Sequence, residues 1–238
     1  CIIGDSLTSL ALAKALMNRE IFVDIFSKKK NITIDETRTI GISKSNVDYF
    51  NKNITNINNL LWKINNIKIY SENSKKDTII QFKNHNDSLF SILKNHKLLN
   101  QLISELKKNK FVNFKKDINF MDPKIPDYDL LINCDPAHKI TKKYFSKKFE
   151  KKYNSIAYTT IVNHKKISSN NTAIQIFTNK GPIAFLPISN EKTSVVFSIR
   201  EGNCKKDLDI EKMINKFNSF YEIKKINEIS KFDLSSIN

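Results

Sequence analysis

The sequence predicts an α/β fold in which a βαβ unit is joined to a mixed β-sheet. Three observations carry this expectation. Residues 1–26 read as strand, tight turn, helix and strand. Residues 155–200 hold four strand-like runs rich in β-branched and aromatic residues. Segments with helical spacing of apolar residues lie between and after them. The composition permits such a fold, since 238 residues with 40% hydrophobic and 27% charged content can bury a core.

Cys1-Ile2-Ile3 is a short apolar strand that ends at Gly4. Leu7, Leu10, Ala11, Ala13, Leu16 and Met17 then keep near-helical spacing, which predicts a helix over 7–18. Ile21–Phe26 reads as the second strand, parallel to the first through a right-handed crossover. Residues 66–72 alternate like a strand, with 78–82 as partner. Apolar residues at 89, 92, 93, 98, 99, 102, 103 and 106 predict one helix over 89–106. Tyr128–Cys134 reads as a buried strand, followed by a short helix near 139–145. Runs at 155–164, 172–178, 182–188 and 194–200 predict a meander, with Gly181-Pro182 as a turn. Helical spacing returns at 208–220, and 222–233 holds a further strand.

Cys1, Cys134 and Cys204 lie far apart and form neither a CxxC pair nor a disulfide framework. The four histidines show no HxxxH spacing, so His138 and His164 are not read as ligands and no metal is expected. No G-x-S-x-G elbow supports hydrolase chemistry. No apolar run reaches the roughly 18 residues of a membrane-spanning helix. The chain starts at Cys1, so the true N-terminus is expected upstream. The net charge of +16 points to nucleic acid or an anionic bilayer. Only Arg19, Arg38 and Arg200 are arginine, however, and base readout favours arginine. Most lysines, including the run 147–152, are read as solvated surface, and no nucleic-acid partner is expected.

The opening turn is the right context for a dinucleotide fingerprint, G-x-G-x-x-G. Here it reads Gly4-Asp5-Ser6-Leu7-Thr8-Ser9, with serine in the second and third glycine places. Ser6 can cap the helix and Ser9 still allows close packing. A Cβ at position 6 crowds a pyrophosphate, and Asp5 adds like charge. The place of a ribose-binding acid at the end of the second strand falls on Ser27. By spacing alone the segment serves either a Rossmann-like nucleotide site or an ordinary βαβ unit.

Five collinear segments together resemble the flavin-dependent aromatic hydroxylases of ubiquinone biosynthesis, within the p-hydroxybenzoate-hydroxylase-like monooxygenases. They are Cys1–Leu16, Thr37-Arg38-Thr39-Ile40-Gly41-Ile42-Ser43, Leu93-Lys94-Asn95-His96-Lys97-Leu98, Tyr128–Asp135 and Phe177–Pro187. The last, with its Phe, Gly-Pro and Leu-Pro wording, is the sharpest match. The resemblance implies FAD contacts at Gly4, Ser6, Ser9, Arg38, Asn95 and Asp135. For Arg38 a surface ion pair is the alternative; for Asp135 and Asn95, helix caps or turns. The chain departs from the family at the two missing glycines and at Asp135-Pro136, where a backbone N–H is lost. It stops at Asn238, where the family continues into a Gly-Asp motif, so a fragment or an incomplete cofactor site is expected.

The resemblance implies a split FAD-binding part (1–65 and 86–145) and a substrate-binding β-sheet part (66–85 and 146–238). It implies an FAD- and NAD(P)H-dependent monooxygenase hydroxylating a polyprenylated phenol, with no catalytic side chain assigned. Expected surroundings are the cytoplasm or the inner face of a membrane, and a ubiquinone-biosynthesis complex. The first rival is a non-catalytic member acting as a scaffold in such a complex. The second is a basic nucleic-acid-binding protein.

Overall fold

The computed structural model describes residues 1–27, 36–73, 77–116, 128–144, 150–200 and 209–237. The chain opens with β1 (Ile2–Ile3), α1 (Leu7–Met17) and β2 (Val23–Ser27). It continues with β3 (Thr39–Ile42), α2 (Lys44–Asn53), a 3₁₀ turn (Asn58–Leu60), β4 (Trp62–Ile64), β5 (Asn66–Ser71) and β6 (Ile80–Lys83). Then come β7 (Phe90–Lys94), α3 (Asn95–Lys107), β8 (Val112–Lys116), β9 (Ile132–Asn133) and α4 (Lys139–Tyr144). The last part holds β10 (Glu150–His164), β11 (Thr172–Thr178), β12 (Gly181–Pro187), β13 (Lys192–Arg200), α5 (Ile210–Phe217), β14 (Ile223–Ile226) and β15 (Ser230–Ile237).

Among the described residues three sheets form. Parallel strands stand in the order β8-β2-β1-β9. A small antiparallel sheet runs β3-β7-β4. The largest runs β14-β10-β13-β12-β11-β5-β6, with β15 also on β10. Its one parallel pair is β5 with β11.

Period explains the layers. On α1, Leu10, Ala13 and Met17 recur on one face and bury against Ile2, Val23 and Ile25 of the parallel sheet. Leu102 and Leu106 of α3 close the same core. In the large sheet, Ile174, Ile176, Ile183, Phe185, Val195, Phe197 and Ile199 alternate onto one face. There α5 covers them with Ile210, Met213, Ile214 and Phe217, each side chain contributing about 2 kcal/mol of apolar burial. The opposite face meets the small sheet through Ile64, Ile92 and Ala173, with Trp62, Ile67 and Leu186 packed around them. Side-chain bonds tie that seam: Thr37 to Thr159 (2.9 Å), Thr39 to Ser194 (3.1 Å), and Trp62 Nε1–H to the Asn170 carbonyl (2.7 Å).

Several expectations need correction. The single helix over 89–106 is strand β7 followed by α3. Ser91, Ile92 and Leu93 are all buried between β3 and β4, and a strand covered on both faces has no alternation to separate it from a helix. Only β11, β12 and β13 form a meander, because β10 pairs with β13 instead of β11. Gly181-Pro182 is not the turn: both residues sit in β12, Pro182 opposite Phe177. The strand expected over 128–134 shrinks to Ile132–Asn133, with Leu130 exposed. The segment 222–233 holds two strands. Phe145, Cys204, Leu208 and residues 147–149 lie outside the described residues.

One carboxylate clamps the parallel sheet. Asp24 on β2 accepts from Tyr128 Oη–H (2.7 Å) and Asn113 Nδ2–H (3.1 Å), and pairs with Lys115. Burial pushes its carboxyl up, but the bonds from Lys115, Tyr128 and Asn113 outweigh that and hold it below the usual carboxylate range. A depressed folded-state pKa gives stability that is full above the unfolded value and is lost as pH falls through the folded one. Asp24→Asn is therefore expected to flatten the drop in melting temperature between about pH 5 and pH 3. Thermal melts at both pH values check this; an equally steep drop in the variant would refute it.

Candidate functional site

The C-terminal ends of β1, β2 and β9 meet at one edge of the parallel sheet, where α/β folds bind ligands. Gly4 makes the turn there with φ +109°, and its N–H donates to the Phe26 carbonyl (2.8 Å). A Cβ on Gly4 would stand 3.2 Å from Ser9 Oγ and 3.4 Å from both Asp135 N and the Cys134 carbonyl carbon. Ser9 is fully buried below it. Ser6 caps α1, its Oγ accepting from the Ser9 N–H (3.4 Å). The N–H groups of Leu7 and Thr8 find no acceptor among the described residues, as the first turn of a helix dictates. The first turn carries no acid. The Asp5 carboxylate instead accepts from the Ser27 hydroxyl at the end of β2.

Asp135 closes the other side. Its N–H donates to Asn133 Oδ1 (3.0 Å), and its carboxylate accepts from the Ala137 N–H (2.9 Å). The expected helix cap is taken one turn later by His138, whose Nδ1 accepts from the Ile140 N–H (3.2 Å). Gly4, Ser6, Ser9 and Asp135 thus come together in one cradle.

Arg38 and Asn95 form a second group. The Asn95 N–H donates to the Arg38 carbonyl (3.1 Å), where β3 and β7 run side by side. No carboxylate pairs with Arg38 among the described residues; its guanidinium lies over the Phe232 ring, 5.0 Å from the centroid. Asn95 starts α3, whose cap position, Lys94, makes no side-chain cap bond. Next to it, His96 Nδ1 is buried without a partner among the described residues. Burial lowers the His96 pKa, and Lys94 and Lys97 add to this while Glu36 opposes it. Burial, then Lys192 and Lys97, likewise lower Lys94.

A pocket of about 670 Å³ opens at one end of the large sheet. Tyr153, Phe177, Pro182 and Ser198 line it together with Arg200 and Asp233. Cross-strand pairs set Phe177 with Pro182, Ala157 with Ser198 and Ser155 with Arg200 on the face away from α5. Two half-exposed rings, two cations (Lys180 and Arg200) and one carboxylate suit a flat ring bearing a polar group. Sequence reasoning left Tyr153, Arg200 and Asp233 unassigned. Arg200 did carry a signal, as one of three arginines in a lysine-rich chain, placed at the end of a strand.

Among the described residues, no cluster of three or more His, Cys, Asp or Glu side chains could hold a metal. No described helix is long and apolar enough to cross a membrane. No family model matches the chain, and no curated protein matches it in sequence. Solved structures do. The p-nitrophenol 4-monooxygenase PnpA from Pseudomonas putida DLL-E4 aligns with a TM-score of 0.75 at 8% identity, over 99% of this chain and 67% of that one. HpxO from Klebsiella pneumoniae, solved with FAD and uric acid, aligns at 0.71 and 12% identity, over 99% and 68%. The tetracycline destructase Tet(51) aligns at 0.59 and 13% identity, over 100% and 69%. The parallel sheet with its crossover helix, joined to the large mixed sheet, gives this chain the α/β fold of the p-hydroxybenzoate hydroxylase type.

Proposed function

We propose that the chain is an FAD-dependent aromatic-ring hydroxylase that acts on a polyprenylated phenol of ubiquinone biosynthesis, with NAD(P)H as reductant and O₂ as co-substrate. The observation that carries this reading is the cradle at Gly4. Backbone there is bare of a Cβ, and two helix N–H groups are open to an anion. With Asp5 drawn onto Ser27, the residues present fit an adenine-nucleotide diphosphate. When bound, the flavin supplies the redox and oxygen chemistry. The chain's residues bind, orient and exclude water: Leu7 and Thr8 N–H groups hold the diphosphate, and Tyr153, Phe177 and Arg200 hold the ring. A hydroxylase of this kind needs no protein nucleophile.

The substrate's apolar tail is supported by the sheet itself. Phe177, Ile69, Ile80 and Phe82 share the face away from α5, and Ile80 and Phe82 are about half exposed. They form an apolar band from the pocket to the β6 edge. A lysine-rich surface would hold such an enzyme at an anionic bilayer, the source of a prenylated substrate. Membership of a ubiquinone-biosynthesis complex belongs to the same proposal.

A second reading, a non-catalytic scaffold, is favoured by one group of observations. Arg38 stacks on Phe232, and Pro136 removes the N–H beside Asp135. Titrating the purified protein with FAD separates the two. A yellow protein near one flavin per chain, whose NAD(P)H consumption rises with a prenylated phenol, is the expected result. A protein that stays colourless in excess FAD leaves the scaffold.

A further inference from the structure

Dinucleotide sites of this architecture take the adenosine ribose on an acid at the end of the second strand. This chain has Ser27 there. We infer that Asp5, from the loop between β1 and α1, supplies that carboxylate instead; the inference rests on the nucleotide reading above.

Register brings the two positions together. Ile3 pairs with Phe26, and Gly4 N–H bonds the Phe26 carbonyl (2.8 Å), so the residues that follow Gly4 and Phe26 stand side by side. The Ser27 hydroxyl donates to Asp5 Oδ2 and fixes the carboxylate over the end of β2. Asp5 Oδ1 has no partner among the described residues and is left to accept from a ligand. The neighbouring acid cannot serve, because Asp24 is consumed by Lys115, Asn113 and Tyr128.

The chemistry follows from charge and donor count. A carboxylate is acceptor-only, and a ribose diol offers two O–H donors. A charge-assisted bond of this type changes affinity on the order of 10- to 100-fold. Placed elsewhere in the turn, an acid would only repel the diphosphate. Held over β2 by Ser27, it reads the sugar while α1's N-terminus reads the phosphates. Asp5 thereby changes from a flaw in the fingerprint to a part of the site.

Calorimetric titrations with ADP and with 2′,3′-dideoxy-ADP test this, on the wild-type chain and on Asp5→Asn. The wild type is expected to prefer ADP on the order of 10- to 100-fold, and Asp5→Asn to lose that preference while keeping its affinity for the dideoxy compound within about threefold. A variant that keeps the preference, or binds ADP more tightly than the wild type, overturns the inference. So does a wild type that binds FAD yet ignores the diol, and in that case the flavin reading stands. A wild type that binds neither FAD nor ADP overturns both.

Discussion

Gly181→Ala is expected to destabilise the fold by about 4 kcal/mol, the sum of backbone strain and overpacking. For a chain of this size that is a fall of about 10 °C in melting temperature. Gly181 opens β12 with φ +142°, a conformation that side-chain-bearing residues rarely adopt. A Cβ there would run into the Ser198 carbonyl oxygen of β13 and come within 3.0 Å of its carbon. Both are backbone atoms of a central strand, so no rotamer can relieve the collision. The turn also depends on this residue: Thr178 Oγ1 donates to the Gly181 carbonyl (2.7 Å) and accepts from the N–H groups of Lys180 and Gly181 (both 3.2 Å). Because Gly181 and Ser198 both line the pocket, pocket and fold should weaken together. Calorimetric melting of the two proteins decides it; a melting temperature within 2 °C of wild type, well under what the strain alone implies, would show that β13 yields.

What the sequence reveals and what it hides divides along local and non-local lines. The β1-α1-β2 unit is legible because the apolar period switches from strand to helix and back within a short stretch. β11 to β13 are legible because large apolar residues recur at every second position on the face that α5 covers, as in Ile174, Ile176, Ile183 and Phe185. β7 is not, since both its faces are covered. β3 and β4 are too short for a period, and β8 shows its role only when Val112 and Phe114 are set against Val23 and Ile25. The pairing of β10 with β13, from Ser155–Arg200 to Asn163–Lys192, is a property of the whole sheet. The site follows the same rule. Gly4, Ser6 and Ser9 are placed by spacing within one turn. Asp135 is marked only by resemblance, and the structure sets its N–H against Gly4. The bond of Asp5 with Ser27 and the stacking of Arg38 on Phe232 join residues whose partnership no local pattern announces.

Gly4→Val tests whether a nucleotide lies at the end of β1. At φ +109° a β-branched residue carries backbone strain of about 1–3 kcal/mol. Its Cβ would press on Ser9 Oγ at 3.2 Å and touch two backbone atoms, Asp135 N and Cys134 C, at 3.4 Å. Ser9 is fully buried, and its hydroxyl must give by a few tenths of an ångström. The added γ-methyl groups are expected to crowd the approach to the Leu7 and Thr8 N–H groups. Losing two charge-assisted bonds to a diphosphate, at about 1.5 kcal/mol or more each, amounts to a weakening of FAD binding on the order of 100-fold. Gly41→Ala is the matched control. It lies in β3, and its added Cβ would meet only the Phe90 ring, at an ordinary 3.6 Å. Both variants are to be titrated with FAD after their circular dichroism is shown to match the wild type. Gly41→Ala should bind as the wild type does, and Gly4→Val should not. If Gly4→Val keeps its fold and binds FAD within threefold of wild type, the nucleotide does not lie at the end of β1. The Asp5 inference would then fall with the cradle.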